Sequence, residues 1–276
     1  MYKSNSKLKT VLVFFLISLI FLFSHYKSHK NIDILNKTPT TNQDISDESV
    51  NNLKFSNTAT WDLQFLMFID NKTLFLPSNW QEKIHLDEPK ANNSPETKKE
   101  LQDLLYLKSK RDKITLENIT KEKDFKTTFF GDLTINDYLT DMKKFPKTSA
   151  LLSPIFGNDL NVVIFTLKNN FDRVRPNVLE KNIEPAIDVP QHPAYPSGHS
   201  TQTHLLALIL SQLSPKRKVM FENRADEISF HREVAGLHYH SDSVAGQLVA
   251  QQIMDMLLQN PDFVKLLNDS KSEWKD

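Results

Sequence analysis

Glycine is scarce in this chain, with five among 276 residues, and this scarcity limits the folds that it can adopt. The five are too far apart to build a glycine-rich phosphate loop or a dinucleotide-binding fingerprint. Leu, Lys, Asn and Glu are common, and alternating strand patterns are weak throughout. We therefore expect an all-α fold, a helical bundle with irregular N-terminal decoration. The glycines are Gly131, Gly157, Gly198, Gly236 and Gly246.

Local patterns predict where the helices lie. Ser94, Pro95 and Glu96 read as a helix start, with a capping hydroxyl, a first-turn proline and an acid at the positive end of the helix dipole. Gly236 is a natural end for the helix that begins near Pro215. Apolar residues at helical spacing predict helices over residues 159–175, 200–213, 215–234 and 242–258.

Composition excludes several kinds of site and partner. The chain has no cysteine, which rules out disulfides, thiol nucleophiles, iron–sulfur clusters and Cys-ligated zinc. Basic and acidic side chains number 34 each, so the formal net charge is zero. Five lysines and no acid lie within residues 1–30, which leaves the rest of the chain mildly acidic. We therefore expect no nucleic-acid partner.

The N-terminus has the features of an export signal. Lysines precede the apolar run Val11–Phe23, which has the length of a signal-peptide core and is short for a membrane span. No small-residue cleavage site follows it, so a cleaved signal peptide and an uncleaved membrane anchor both stay open. We assign residues 1–30 to this segment, 31–58 to a flexible linker rich in polar residues, and 59–276 to the helical domain.

The first of three charged clusters is Lys168, six residues, and then Arg175-Pro176. In one continuous helix this spacing is close to two turns, so both cations face the same side. Two fixed cations on one face suit a tetrahedral dianion. The alternative is a salt-bridge ladder through Asp172, which lies between them.

The second cluster, Pro196-Ser197-Gly198-His199, directly precedes the apolar helix predicted over 200–213. A helix N-terminus presents unpaired N–H groups and positive partial charge, which favours an anion. Gly198 lets the backbone approach an oxyanion closely, Ser197 offers a hydroxyl and His199 offers a titratable proton. The alternative is a capped helix with an incidental histidine.

The third cluster is Arg232, five residues, His238, three residues, and Asp242. On a helix, His238 and Asp242 would be neighbours at positions i and i+4. A carboxylate on one ring nitrogen fixes the tautomer and leaves the other nitrogen free as a nucleophile. The alternative is an ordinary surface His–Asp pair.

In order and spacing, the three clusters together resemble the phosphatidic acid phosphatase type 2 superfamily over roughly residues 159–258. Within it, the chain is most similar to the bacterial class A non-specific acid phosphatases, in its size, export signal and helical domain. The segment Leu74–Pro77 looks like part of their N-terminal region, although their proline run is reduced here to Pro77. One departure is His231, which stands where the superfamily usually has serine.

The resemblance implies an all-α bundle of the kind shared with vanadium haloperoxidases, and an acid phosphatase that hydrolyses phosphate monoesters through a phosphohistidine. By position, His238 would be the nucleophile and Asp242 would orient it. His199 would protonate the leaving group and then activate water. Phosphate-binding groups would be Lys168, Arg175, Ser197, Gly198 and Arg232.

The same resemblance implies no metal and no cofactor, because three side-chain cations supply the charge that Mg²⁺ supplies in other phosphoryl-transfer sites. We expect that His192, His231 and His240 have no direct role in the site. The expected partner is a small phosphorylated substrate, while a homo-oligomer, a single N-terminal membrane anchor and a phosphotransferase side activity stay open. The expected location is outside the cytoplasm, either periplasmic or anchored to the outer face of the cytoplasmic membrane. A lipid phosphate phosphatase and a vanadium-dependent haloperoxidase are the alternative functions.

Overall fold

A computed structural model of the chain describes residues 47–123 and 145–274. Within these ranges the regular structure is entirely helical, which confirms the predicted all-α class. The predicted export segment, residues 1–30, lies outside the described residues, and so do residues 31–46 of the predicted linker.

Short helices joined by irregular chain form the N-terminal part of the described fold. The sequence predicts a flexible linker that ends at residue 58. However, Phe55 is only 2% exposed, and its N–H donates to the carbonyl oxygen of Asp172 at 3.0 Å. The folded chain therefore begins before residue 59, because an apolar side chain is already buried at position 55. The helices are α1 (Asp47–Asn51), α2 (Phe55–Thr58), α3 (Leu63–Leu66) and α4 (Trp80–Lys83).

Asp159 attaches this irregular part to the core. Its buried carboxylate accepts the backbone N–H groups of Leu74, Phe75 and Leu76 at 2.6, 2.7 and 3.2 Å. Hydrogen bonds to an ionised acceptor are among the stronger ones in proteins, so a single carboxylate fixes three consecutive residues.

Two longer helices follow, α5 (Pro95–Ser109) and α6 (Lys113–Lys121). Helix α5 begins where the sequence predicted it, with Pro95 in the first turn and the Ser94 hydroxyl accepting the Thr97 N–H at 3.1 Å. The carboxylate of Asp112 accepts the Thr115 N–H at 2.7 Å and caps α6 in the same way.

The next segment consists of α7 (Pro146–Pro154), a π-helical turn (Ile155–Asp159) and α8 (Leu160–Phe171). Helix α8 ends four residues before Arg175, because Asp172 adopts a left-handed conformation with φ of 50°. The Ser56 N–H donates to the Asp172 carboxylate at 3.0 Å, and the Ser56 hydroxyl also donates to it. The predictions that the helix continues to Arg175 and that Lys168 and Arg175 share one helix face are therefore wrong.

Residues Pro146–Leu179 are long and apolar enough to cross a membrane by length and composition alone. However, 67% of their most apolar window is buried inside the fold, and Val162, Val163 and Ile164 belong to the main hydrophobic core. A mostly buried stretch of this kind is what the core helix of a globular domain also shows, so it is weak evidence for a membrane span.

Helix α10 is the central element of the C-terminal half and packs against both α11 and α12. Its apolar run Leu205–Leu210 is almost fully buried, which explains why it is apolar around most of its circumference. Gly236, with φ of 75°, follows the end of α11 as predicted. These helices are α9 (Pro176–Leu179), α10 (Gly198–Leu213), α11 (Lys218–Val234), α12 (His240–Leu257) and α13 (Pro261–Ser270). Short 3-10 turns lie at Lys181–Ile183, Pro215–Arg217 and Lys271–Glu273.

Candidate active site

The N-terminus of α10 forms one wall of the candidate site. Ser197 is its buried N-cap, and the Ser197 side chain accepts the Ser200 N–H at 3.4 Å. The Ser197 N–H donates to the carbonyl oxygen of Asp242 at 2.9 Å, which attaches this wall to α12. A sixteen-residue helix concentrates positive partial charge and unpaired N–H groups at this end, beside Gly198 and His199.

Lys168 lies beneath this wall and is completely buried. Its ammonium donates to the carbonyl oxygens of Pro193 and Ala194 at 2.7 and 3.0 Å. A side-chain carbon placed on Gly198 would lie 3.9 Å from Lys168 Cε, so the cation is adjacent to the first turn of α10. Burial, and then the charge of Arg175, hold the pKa of Lys168 well below its usual value.

The Arg175 guanidinium is held in place by several hydrogen bonds. Its Nε and Nη2 donate to the carbonyl oxygen of His192 at 3.1 and 2.9 Å, and its Nη1 donates to that of Leu237 at 2.8 Å. Nη2 also lies 3.1 Å from His192 Nδ1, and Nη1 lies 3.1 Å from His238 Nε2. Burial lowers the pKa of Arg175 to about 10, so the guanidinium stays charged at neutral pH.

His238 and Asp242 form the predicted pair, with His238 Nδ1 3.1 Å from Asp242 Oδ2. Only Asp242 is helical, because α12 begins at His240 and His238 precedes it. The same carboxylate oxygen accepts the Tyr239 N–H at 3.0 Å, so Asp242 caps its own helix while it holds the histidine.

These contacts assign the tautomer of His238. A carboxylate only accepts and a guanidinium only donates, so Nδ1 carries the proton toward Asp242 and Nε2 presents its lone pair toward Arg175. His238 is 3% exposed. Burial, followed by the charges of Arg175 and Lys168, keeps the pKa of His238 well below its usual value. The imidazole is therefore neutral over the physiological pH range, which is the nucleophilic form.

His199 is neutral in this structure as well. Its Nε2 lies 3.0 Å from the carbonyl oxygen of Glu122 and must donate to it, so the neutral ring leaves Nδ1 without a proton. Burial, and then the charge of Arg232, lower the pKa of His199 to about 3. The predicted proton donor is therefore a neutral imidazole with no proton on Nδ1.

Arg232, the third predicted cation, lies on α11 and is 1% exposed. Its Nη2 donates to the carbonyl oxygen of Ile119 at 3.2 Å and to the carboxylate of Glu122 at 3.1 Å. Its charge contributes to lowering the pKa of both His199 and His238, which lie within its electrostatic reach. Hydrogen-bond distances connect Arg175 to His238, His238 to Asp242 and Asp242 to Ser197. Glu122 contacts both His199 and Arg232.

Sequence reasoning missed two charged residues beside the site. Arg173 donates to Asp242 Oδ1 at 2.6 Å and to the hydroxyl of Ser241 at 2.8 Å. Glu122, at the end of α6, binds Arg232 through its carboxylate and His199 through its carbonyl oxygen. Arg173 could have been suspected from its place between the two cations of the first cluster, whereas no sequence pattern indicated Glu122.

The three histidines for which we expected no direct role differ in their contacts with the site. His192 contacts Arg175, and His231 Nδ1 lies 2.8 Å from the Glu122 carboxylate, so both belong to the surroundings of the site. His240 is largely exposed and pairs with Glu233. Among the described residues, no group of three or more His, Asp or Glu side chains is arranged to hold a metal ion.

The model of the PAP2 superfamily matches residues 147–254, a range that contains all eight predicted site residues. Over this range the chain is similar to the PAP2 superfamily. The sequence-based assignment is thereby confirmed, and its three motifs are the charged clusters of the candidate site.

The curated relatives that the chain matches include bacterial acid phosphatases. A non-specific acid phosphatase from Providencia stuartii is 28% identical over 136 residues, 48% of this chain and 55% of the relative. One from Salmonella typhi is 30% identical over 138 residues, 49% of this chain and 55% of the relative. An acid phosphatase from Zymomonas mobilis is 32% identical over 113 residues, 38% of this chain and 42% of the relative. The chain thus spans about half the length of the curated relatives it matches.

Among solved structures, the chain is similar to the crystal structure of a bacterial vanadium-dependent iodoperoxidase. The TM-score is 0.56 at 14% identity, and the match covers 76% of this chain and 61% of that chain. At such low identity the likeness concerns the fold alone, and it agrees with the predicted all-α bundle.

Proposed function

We propose that the protein is an acid phosphatase that hydrolyses phosphate monoesters, with His238 as its nucleophile. The observation that carries this proposal is the state of His238: a buried, neutral imidazole whose Nδ1–H is held by Asp242 and whose Nε2 lone pair lies against the Arg175 guanidinium. A nucleophilic nitrogen beside a fixed cation suits attack on an anionic phosphoryl group. The names of the curated relatives support the same reaction.

In the first step, His238 Nε2 attacks phosphorus and the bond from phosphorus to the leaving oxygen breaks. The substrate monoanion first gives its proton to His199 Nδ1, because Nε2 is bonded to the Glu122 carbonyl oxygen, and His199 then passes this proton to the leaving alkoxide. Asp242 stabilises the positive charge that develops on the His238 ring. The product of this step is phosphohistidine and a free alcohol.

In the second step, water attacks the phosphohistidine and gives a proton to His199. The bond from phosphorus to Nε2 breaks, the proton passes from His199 to the departing phosphate, and both histidines return to their neutral forms. If an alcohol takes the place of water, the phosphoryl group is transferred to that alcohol, which is the phosphotransferase side activity that the sequence left open.

We place the bound phosphoryl group between Arg175 and His238, where it replaces their direct contact. We assign its oxygens to Lys168, Arg175 and Arg232, together with the remaining ligands from the start of α10. Catalysis of phosphoryl transfer is mainly positioning and electrostatic stabilisation, and three buried cations can provide both without a metal ion. The remaining ligands are the Ser197 hydroxyl and the Gly198 N–H.

Trapping the intermediate tests this proposal. The full chain is mixed with a radiolabelled aryl phosphate, quenched in alkali, in which phosphohistidine survives, and digested for mass spectrometry. We expect label on His238 in the wild type and in the control variant His240→Ala, whose ring is exposed and lies outside the site. No label and no turnover are expected in His238→Ala. Phosphoenzyme or wild-type turnover in His238→Ala would contradict the mechanism.

The same preparation separates the alternative functions. Hydrolysis of small phosphate esters in preference to phosphatidic acid in micelles supports the acid phosphatase over the lipid phosphate phosphatase. Oxidation of halide with added vanadate and peroxide, without ester hydrolysis, would favour the haloperoxidase.

We also propose that residues 1–30 export the chain to the periplasm or to the outer face of the cytoplasmic membrane. The positive N-terminus and the apolar run Val11–Phe23 support this location. Cell fractionation and N-terminal sequencing of the exported form measure both the location and any cleavage.

A further inference from the structure

The C-terminal end of α6 meets two residues of the candidate site. The last carbonyl groups of a helix lack partners within the helix and carry negative partial charge. Here Ile119 O accepts a hydrogen bond from Arg232 at 3.2 Å, and Glu122 O accepts one from His199 at 3.0 Å. The helix end therefore binds both a phosphate-site cation and the proposed proton donor.

The side chain of Glu122 strengthens this junction. The carboxylate is 2% exposed, and its Oε2 lies 3.1 Å from Arg232 Nη2 and 2.8 Å from His231 Nδ1. Its other oxygen accepts from Arg224 at 2.8 Å. Burial alone would raise the pKa of Glu122, but the hydrogen bond from His231 and the neighbouring charges outweigh it and lower the pKa. The carboxylate is therefore ionised where it meets Arg232.

The Nε donor of Arg232 is unpaired in this arrangement. Its Nε is buried and has no hydrogen-bond partner within residues 47–123 and 145–274, while Nη2 carries the contacts to α6. Buried polar groups are nearly always paired in native proteins, so an unpaired guanidinium donor beside a candidate anion site indicates a missing acceptor. A phosphoryl oxygen is an acceptor of the right charge.

We propose that Glu122 is a positioning residue for the phosphate site. By holding Nη2, its carboxylate fixes the orientation of the Arg232 guanidinium and leaves Nε for the phosphoryl group. Its carbonyl oxygen holds His199 Nε2 and so turns Nδ1 toward the leaving group. His231, which replaces the usual serine, acts as a second support for the same carboxylate oxygen. This inference rests on the proposed function insofar as Arg232 and His199 serve a phosphoryl group.

Binding of inorganic phosphate to the full chain, measured by calorimetry, tests the inference without turnover. In Glu122→Gln the carboxamide cannot hold Arg232, Arg224 and His231 together, because its NH₂ group faces other donors. We expect the Kd for phosphate and the KM for a phosphate ester to rise about tenfold, the effect of one charged hydrogen bond. Glu122→Asp keeps the charge but withdraws the oxygens, and we expect a smaller rise in a protein that still folds.

Glu273→Gln is the matched control. That carboxylate accepts the N–H groups of Lys147 and Thr148 at 2.8 Å each and attaches the C-terminus to α7, so its loss affects folding alone. A purely structural role lowers the active fraction and leaves Kd and KM unchanged, as we expect for Glu273→Gln. Wild-type Kd and KM in both Glu122 variants would overturn the inference. If the wild type binds phosphate but hydrolyses no ester, the proposed function fails while the Kd of Glu122→Gln still tests the positioning role.

Discussion

Arg173 Nη1 donates to Asp242 Oδ1 at 2.6 Å inside the protein, while the other oxygen of that carboxylate holds His238. Both partners of this ion pair are buried, and Glu100 lies 3.2 Å from the second guanidinium nitrogen of Arg173. The Arg173 guanidinium also lies 3.8 Å from the centre of the Tyr239 ring. Asp242 is therefore fixed from both sides, and with it the tautomer and orientation of the proposed nucleophile.

Removal of the Arg173 charge should cost both stability and activity. In Arg173→Gln, Asp242 stays buried without its cation, and breaking a buried pair in this way typically costs about 3–5 kcal/mol of unfolding free energy. We expect kcat to fall at least about tenfold, because the carboxylate no longer holds His238 in one orientation. Urea denaturation and steady-state kinetics measure the two effects.

The control for that variant is Lys99→Gln, which breaks the exposed pair of Lys99 with Asp103. Exposed pairs contribute about 0–1 kcal/mol, so both the unfolding free energy and kcat should stay near wild type. Equal losses of unfolding free energy and kcat in the two variants would show that neither the burial of Arg173 nor its contact with Asp242 affects stability or activity.

The pH dependence of kcat/KM should reflect the ionisation of the substrate rather than the ionisation of a protein side chain. His199 has a pKa of about 3 in this structure, so the proton for the leaving group must arrive with the substrate. Phosphate monoesters lose their second proton near about pH 6, and the monoanion carries the required proton. Above that pH, kcat/KM should fall about tenfold per pH unit. Activity is thus expected on the acid side although His199 carries no proton on Nδ1 in the free protein.

Two substrates with different second pKa values separate these explanations. With pH–rate profiles measured for both, the break should shift by the difference between the substrate pKa values. A break at the same pH for both substrates would assign the ionisation to the protein and reject this proton source.

The motifs were readable from the sequence because each is a short spacing along the chain. The end of α8 was not, since the conformation of Asp172 depends on Ser56, which lies 116 residues away. Arg173 and Glu122 were missed for the same reason: their partners Asp242 and Arg232 are 69 and 110 residues distant. Local propensity predicts helices and caps, whereas the contacts that orient a site are tertiary.

Chelation should leave the activity intact. Lys168, Arg175 and Arg232 are buried and lie within electrostatic reach of His238, and in the proposed mechanism their charges stabilise the phosphoryl oxygens without a metal ion. We expect unchanged kcat and KM after dialysis against EDTA. Loss of activity on dialysis, with recovery on addition of Mg²⁺ or Zn²⁺, would contradict the metal-free site.

Gly246 sets the distance between α12 and the start of α10. A side-chain carbon at position 246 would lie 2.7 Å from both Ser197 O and Ser200 Cβ, closer than real contacts allow. Gly246→Ala must therefore push α12 away from α10 and move Asp242, one turn earlier on the same helix, relative to Ser197. We expect the unfolding free energy to fall by about 1–3 kcal/mol, the usual cost of overpacking.

Activity should fall with that displacement, because Asp242 and Ser197 lie on the two helices that separate. We expect kcat/KM in Gly246→Ala to drop at least about tenfold, since a shift of about 1 Å in a catalytic group can cost far more. Gly157→Ala is the matched control, because a side-chain carbon there would meet no atom within 4 Å. It should keep wild-type kinetics and gain up to about 1 kcal/mol from the higher helix propensity of alanine. Similar stability and kinetics in the two variants would show that the separation of α10 and α12 does not depend on Gly246.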